Sequence, residues 1–137
     1  MRVSDSFLLD SNIMIYVLDQ RRPVVDLLHR LDDLEAGERP SISAISVYEV
    51  LTGAAAEEQE RSVALLAAFE IIPVTEVIAA RAASLAQWQR EQGAKTAIAD
   101  TLIAATALAL DKTLVTYDRQ HFTRLGVTLY QDLPLLD

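Results

Sequence analysis

The chain has 137 residues, which fits one domain, and 51% hydrophobic with 23% charged residues is a globular composition that excludes disorder along its whole length. It contains no cysteine, which excludes disulfides, thiolate metal sites and a cysteine nucleophile and agrees with a reducing cytoplasm. A formal net charge of −8 argues against a binder that holds nucleic acid by bulk basic charge, unless the acids are gathered around bound cations that change the local sign.

The N-terminus carries Arg2 and Asp5 and leads into only a short apolar run, so it lacks the pattern of a signal peptide and a soluble, cytoplasmic protein with no membrane contact is expected. Phe7-Leu8-Leu9 reads as a buried strand that ends in the polar turn Asp10-Ser11-Asn12. Ile13 to Leu18 is a first helix. Pro23 suits the first turn of a second, in which Val24, Leu27, Leu28, Leu31 and Leu34 recur at helical spacing and which Gly37 can close. Ser41 to Ile45 alternates polar with apolar after Pro40 and predicts a strand. Ser46-Val47-Tyr48-Glu49 has the capping-box pattern and predicts a helix from there to Gly53. Glu57 to Phe69 predicts another helix with Val63, Leu66 and Ala67 on one face, and Ile71 to Val74 a short strand. Thr75 can cap a helix from Glu76 to Glu91 that Gly93 stops. Thr96 to Leu110 is almost wholly Ala, Ile, Leu and Thr, the pattern of a buried helix; Asp100 interrupts it, and it is too short to span a bilayer. Thr113 to Thr116 is a strand with Tyr117-Asp118 as its polar exit, and Gly126 to Tyr130 is the last strand.

Strands thus alternate with helices, without repeat or linker. The pattern predicts an α/β fold, one domain over residues 1–137, with a mostly parallel central sheet flanked by helices. In such folds the functional crevice lies beyond the carboxyl ends of the strands. Asp10 follows the first predicted strand, Glu49 the second and Asp118 the fourth, while Asp100 heads the buried helix. Each is a carboxylate at the rim of an apolar element, where desolvation is costly and like charges repel. Mg2+ or Mn2+ relieves both, because hard cations take carboxylate and water oxygens. Such a cation can polarise a phosphoryl oxygen and lower the pKa of a water, which is what phosphodiester hydrolysis needs.

Each acid also has a simpler reading. Asp10 can cap a helix, Glu49 can complete the capping box, Asp100 can favour a helix N-terminus and Asp118 can be a turn residue. Lys95, Lys112, Arg119 and Arg124 flank the third and fourth acids and are candidate phosphate contacts, with solvated surface charge as the competing reading. His121 reads as a surface residue, and no histidine metal site is expected. Trp88, in a polar stretch, can stack a base or pack at a subunit contact, of which the contact is preferred.

Four segments together resemble the motifs of PIN-domain ribonucleases. They are Leu8-Leu9-Asp10-Ser11-Asn12-Ile13-Met14-Ile15-Tyr16, Ile42 to Gly53 around Glu49, Ile98-Ala99-Asp100-Thr101 to Leu108, and Leu114-Val115-Thr116-Tyr117-Asp118-Arg119 to Phe122. They occur in order over almost the whole chain, and the size is similar to VapC toxins of toxin–antitoxin pairs. The resemblance implies Asp10, Glu49 and Asp100 as principal acids, Asp118 as the fourth, and Asn12 and Thr116 as their hydrogen-bonding supports. It further implies Mg2+ or Mn2+, endonucleolytic cleavage of RNA, a homodimer and a cognate antitoxin. Tyr117 departs from the small polar or basic residue that relatives often carry there. The helices 24–34 and 57–69 are candidate dimer faces. Two rival readings are a catalytically inactive PIN-like module that binds RNA or protein, and a receiver-like phosphoacceptor domain. The second expects adjacent acids after the first strand, whereas Asp10 stands alone before Ser11-Asn12.

Overall fold

A strand with no polar position can only be buried on both faces. The computed structural model describes residues 6–34, 39–95 and 97–136, and in it Phe7–Leu9 is such a strand, β1, with every side chain buried. Ser41–Ser43 forms β2, Glu70–Ile72 β3 and Thr113–Val115 β4. These four strands run parallel in the order β3-β2-β1-β4. The register pairs Leu9 with Ile42 on one side and with Val115 on the other. An α/β fold with a parallel sheet is therefore what the alternation of elements produces.

The helices are α1 (Ser11–Leu18), α2 (Arg22–Leu34), α3 (Ala44–Gly53), α4 (Gln59–Leu66), α5 (Glu76–Glu91), α6 (Ile98–Ala109) and α7 (Arg119–Thr123). They cover both sheet faces because the strand side chains alternate. Phe7, Leu9, Ile42 and Val115 bury into a core shared with Ile13, Met14, Val24, Leu27, Leu31 and Val50. Leu8 and Leu114 point the other way, onto Ile103, Ala104 and Ala107 of α6. Ala105 of α6 packs against Ile78 and Ala82 of α5 and against Ile72 of β3. The alanines of α6 let α5 and the sheet approach it closely on either side. Among the described residues no helix is long and apolar enough to cross a membrane.

The helix α5 follows the local signals closely. Thr75 Oγ1 accepts from Ile78 N at 3.2 Å, and Gly93 closes the far end with φ of +78°. Elsewhere the structure moves the boundaries. β2 stops at Ser43, whose Oγ accepts from Ile45 N at 3.2 Å and caps α3 three residues before the expected start. Ser46 and Glu49 then lie inside the helix, so the capping box does not form. The expected helix 57–69 is split into a 3-10 turn at Ala56–Glu58 and α4. Gln59 Nε2 donates to Leu51 O and Ala54 O, which satisfies the end of α3 and fixes that break. The buried positions of α4 are Ser62 and Leu66, while Val63 is exposed, so its inner face is rotated from the expected one. Gly126 to Tyr130 makes only an isolated parallel bridge, Leu114 with Leu129, instead of a strand. β4 is only three residues long and leaves little edge to extend. Gly37 and Thr96 lie outside the described residues.

Candidate metal centre

From β1 the chain builds β2 and then β3 outward on one side, and then places β4 on the other side of β1. A parallel sheet opens a crevice at the carboxyl ends of strands where its order reverses in this way. Asp10 leaves β1 and Asp118 follows β4, so both border that crevice. Asp10 N donates to Val115 O at 3.0 Å, which ties the two strand ends together.

Asp10 is both a helix cap and a site residue. Its extended backbone, φ −74° and ψ 159°, starts α1, and Oδ1 accepts from Ser11 N at 2.7 Å. Its other oxygen accepts from Thr116 Oγ1 at 2.6 Å. The same Thr116 oxygen accepts from Asp118 N at 3.0 Å and from Asn12 Nδ2 at 3.3 Å. One hydroxyl therefore joins Asp10, Asn12 and the backbone at Asp118. Glu49, in the second turn of α3, accepts from Ser11 Oγ at 2.6 Å. Two groups of Ser11, its backbone N–H and its hydroxyl, thus hold two acids from distant parts of the chain.

Asp100 is the third residue of α6. Its Oδ2 lies 3.9 Å from His121 Nδ1, which is 2.6 Å from Asp118 Oδ2. One ligand atom each from Asp100, Asp118 and His121 can be chosen so that all lie within 4.8 Å of one another. His121 is exposed, as the sequence suggested, but it belongs to the site. Asp118 and His121 are three apart, and only the short helix α7, which the sequence pattern did not announce, brings them onto one side.

The electrostatics join the two halves of the site. Burial raises the Asp10 carboxyl from 3.8 to about 6, against the hydrogen bonds from Thr116 and Ser11, and the charges of Asp100 and Glu49 push it further up. Asp100 is also raised, first by burial, then by Asp118, with Glu49 adding and His121 opposing. His121 is raised by its hydrogen bond to Asp118 and by that residue's charge. Asp10, Glu49 and Asp100 thus act on one another, and Asp118 joins them through Asp100. Buried carboxylates in mutual repulsion fit a hard divalent cation, which would take several of them at once. The amide oxygen of Asn12 is buried and has no hydrogen-bond partner among the described residues, as expected beside a position for a hydrated ion.

The four candidate basic residues separate. Lys95 lines the same small cavity as Asp100 and His121, and Arg124 lines the larger one that adjoins it. Lys112 precedes β4, at the opposite rim of the sheet, and its ammonium donates to Ser6 Oγ at 2.6 Å. Arg119 donates to Tyr130 O at 3.0 Å and to Gln131 Oε1 at 2.8 Å, anchoring the C-terminal segment. Tyr117 points away from the acids: its hydroxyl donates to Pro134 O at 2.8 Å and its ring packs edge-on against Tyr16. That departure from the familiar motif serves packing and leaves Asp118 in place.

Comparison with known proteins adds an independent line. A model of the PIN domain family matches residues 7–127. Ribonuclease VapC10 of Mycobacterium tuberculosis is 35% identical over 115 residues, covering 84% of each chain. Ribonuclease VapC1 of Haemophilus influenzae is 28% identical over 131 residues, 92% of this chain and 96% of its own. A solved toxin–antitoxin complex from Klebsiella pneumoniae superposes with a TM-score of 0.74 at 28% identity, covering 91% of this chain and 97% of that one.

Proposed function

The chain belongs to the PIN domain family, and from that premise we propose that it is a divalent-metal-dependent endoribonuclease, the toxin of a toxin–antitoxin pair. The observation that carries the reading is the convergence of Asp10, Glu49, Asp100 and Asp118 on one crevice, with Asp10 and Asp100 raised by burial and by their neighbours. Asp10, Asp100, Asp118 and Glu49 hold the cation, directly or through water. Mg2+ is the expected ion, with Mn2+ as a substitute, because the principal donors are carboxylate oxygens. When bound, it supplies Lewis-acid charge to a phosphoryl group and to a water nucleophile.

The chain's own residues prepare that chemistry. Ser11 N and Thr116 Oγ1 fix both oxygens of Asp10, so its orientation is set before anything binds. Ser11 Oγ fixes Glu49 in the same way. Asn12, through Thr116, keeps that hydroxyl aimed at Asp10. His121, when protonated beside Asp118 and Asp100, lowers the repulsion that an approaching phosphate meets. RNA is the substrate, a cognate antitoxin the regulatory partner, a homodimer the assembly and the cytoplasm the setting in this reading; the VapC relatives and the toxin–antitoxin complex support it.

The test is cleavage of RNA by the purified chain with Mg2+ or Mn2+, repeated with Asp100→Asn and with EDTA. Cleavage lost in both supports the reading. Cleavage that survives both overturns the metal mechanism. Wild-type protein that binds RNA but never cuts it, at any divalent concentration, points to a binding module.

A further inference from the structure

A cleft of about 750 Å3 lies beside the acids, between the end of α5, the loop after it and α7. Its walls include Trp88, Gln89, Lys95, Gln120, His121 and Arg124. A smaller cavity of about 220 Å3 joins Gln89, Lys95 and His121 to Asp100 itself. Gln89, Lys95 and His121 thus belong to both spaces, and His121 is bonded to Asp118 at 2.6 Å. The cleft begins where the metal centre ends.

Its lining has the composition of a recognition site with unspent hydrogen-bonding capacity. Trp88 leaves 43% of its surface exposed although the helix it sits on has a buried side available. Gln89 is only 8% exposed, yet its side-chain amide has no hydrogen bond to any described residue. The residue lines both cavities, so its amide is open to the cleft, where a ligand or water can take up its hydrogen-bonding capacity. Among the described residues, the Lys95 ammonium and the Arg124 guanidinium have no carboxylate in ion-pair contact, and the Gln120 amide has no hydrogen bond. The volume falls in the roughly 300–1,000 Å3 range of small-ligand sites. Two free cations, two free amides and an open indole next to a phosphodiester-cutting centre fit one chemical class, an unstacked nucleotide.

We propose that this cleft is a nucleotide subsite, which takes the base adjacent to the scissile phosphate out of its stack. Trp88 stacks the base, Gln89 and Gln120 bond its edge, and Lys95 and Arg124 hold the flanking phosphates. The assignment rests on the ribonuclease reading above. It makes the cleft the place where the RNA is chosen, while the acids cut without regard to sequence.

Trp88 is the chain's one tryptophan, so its fluorescence reports on this cleft alone. The experiment titrates the full chain, in Ca2+, with pentaribonucleotides of adenine, cytosine, guanine or uracil and with an abasic oligomer of the same length and charge. Anisotropy of a labelled copy of each oligomer reports binding independently. The subsite predicts saturable quenching by at least one base-bearing oligomer and little by the abasic one. Trp88→Ala should weaken that oligomer by about 5- to 150-fold, the usual worth of one stacked base, while Trp88→Phe keeps most of the affinity. In cleavage assays Trp88→Ala should raise KM and leave kcat near wild type, and Gln89→Leu should change the order of preference among bases. If Trp88→Ala fails to fold by circular dichroism, Trp88→Phe and Lys95→Glu carry the test, the latter by weakened RNA binding.

Oligomers that bind by anisotropy yet leave the indole unquenched overturn the subsite, as does equal quenching by the abasic oligomer. Quenching by a protein partner with none by RNA also overturns it, and gives the cleft to that partner. Cleavage of RNA by wild type with an unaltered KM in Trp88→Ala rejects the subsite alone. Absence of cleavage by wild type in Mg2+ and Mn2+ rejects the ribonuclease reading instead.

Discussion

Replacing Asp10 by asparagine should stabilise the metal-free protein above neutral pH. Asp10 is 6% exposed, and burial lifts its pKa from 3.8 to about 6. Keeping a group charged against such a shift costs about 3 kcal/mol at a pH well above both values. A raised carboxyl contributes stability that is fully present below the unfolded value of 3.8 and is lost as the pH rises through about 6. Wild type without metal should therefore weaken relative to Asp10→Asn between about pH 4 and pH 7. Asparagine keeps one acceptor for Ser11 N but loses the acceptor for the Thr116 hydroxyl, whose oxygen already accepts from Asp118 N and Asn12 Nδ2, so roughly half of the gain should survive, about 1–2 kcal/mol. For a chain of this length that is a Tm difference of roughly 4–8 °C above neutral pH. Differential scanning calorimetry in EDTA across the pH range reads it directly. In saturating Mn2+ the difference should shrink or reverse, since the cation stabilises only the protein that can ligate it. An Asp10→Asn protein that is no more stable than wild type in EDTA near pH 7.5 would refute the reasoning, and so would a gap that is independent of pH.

Thr116→Val removes the hydroxyl that serves Asp10, Asn12 and Asp118 N, and should cost about 1–3 kcal/mol in chemical denaturation. Because the Thr116 bond lowers the Asp10 pKa, calorimetric Mn2+ binding by that variant should need a higher pH than wild type. Ser43→Ala should lose about 1 kcal/mol as the true cap of α3, while Ser46→Ala, whose hydroxyl is buried without a partner among the described residues, should be neutral or stabilising in thermal melts. A larger loss from Ser46→Ala would restore the capping box. His121→Ala should raise the Mn2+ dissociation constant about tenfold by isothermal titration, as loss of an outer partner of a ligating carboxylate does; an unchanged constant would place His121 outside the centre.

Much of this fold was legible because its signals are local and repeated. Thr75 and Gly93 bracket α5 by rules that need no tertiary knowledge. The apolar runs around Leu8 and Leu114 name the fully buried strands β1 and β4, because only a doubly covered strand tolerates such a run. The boundaries that moved did so for reasons outside their own windows. Ser43 and Ser46 are equally good caps in the sequence, and the choice falls to the three-residue pairing of β2 with β3. The split before α4 depends on Gln59 reaching back to Leu51 and Ala54. The acids Asp10, Asp100 and Asp118 were visible as charges at apolar rims, and Glu49 chiefly through the motif it sits in. His121 was hidden because its partner Asp118 lies across a helix of five residues, too short to show a period. Trp88, in its polar stretch, reads as a subunit contact, since nothing in the sequence places the end of α5 beside α7.

The net charge of −8 then acquires a direction. The acids of the centre border the ends of β1 and β4, while Lys95 and Arg124 stand on the α5–α7 side, without a carboxylate in contact among the described residues. A polyanion that enters this cleft meets Lys95 and Arg124 before it reaches the acids. Until a divalent ion is held there, that approach ends against three or four carboxylates. The same repulsion adds to the effect of burial in raising the pKa values of Asp10 and Asp100. On the proposed function, metal binding and RNA binding would be linked through shared charge, and each should tighten the other by the same factor. On the same reading, attraction supplied locally by the cleft and by a bound ion would let the bulk charge remain acidic and discourage the nonspecific adhesion that a basic surface would bring.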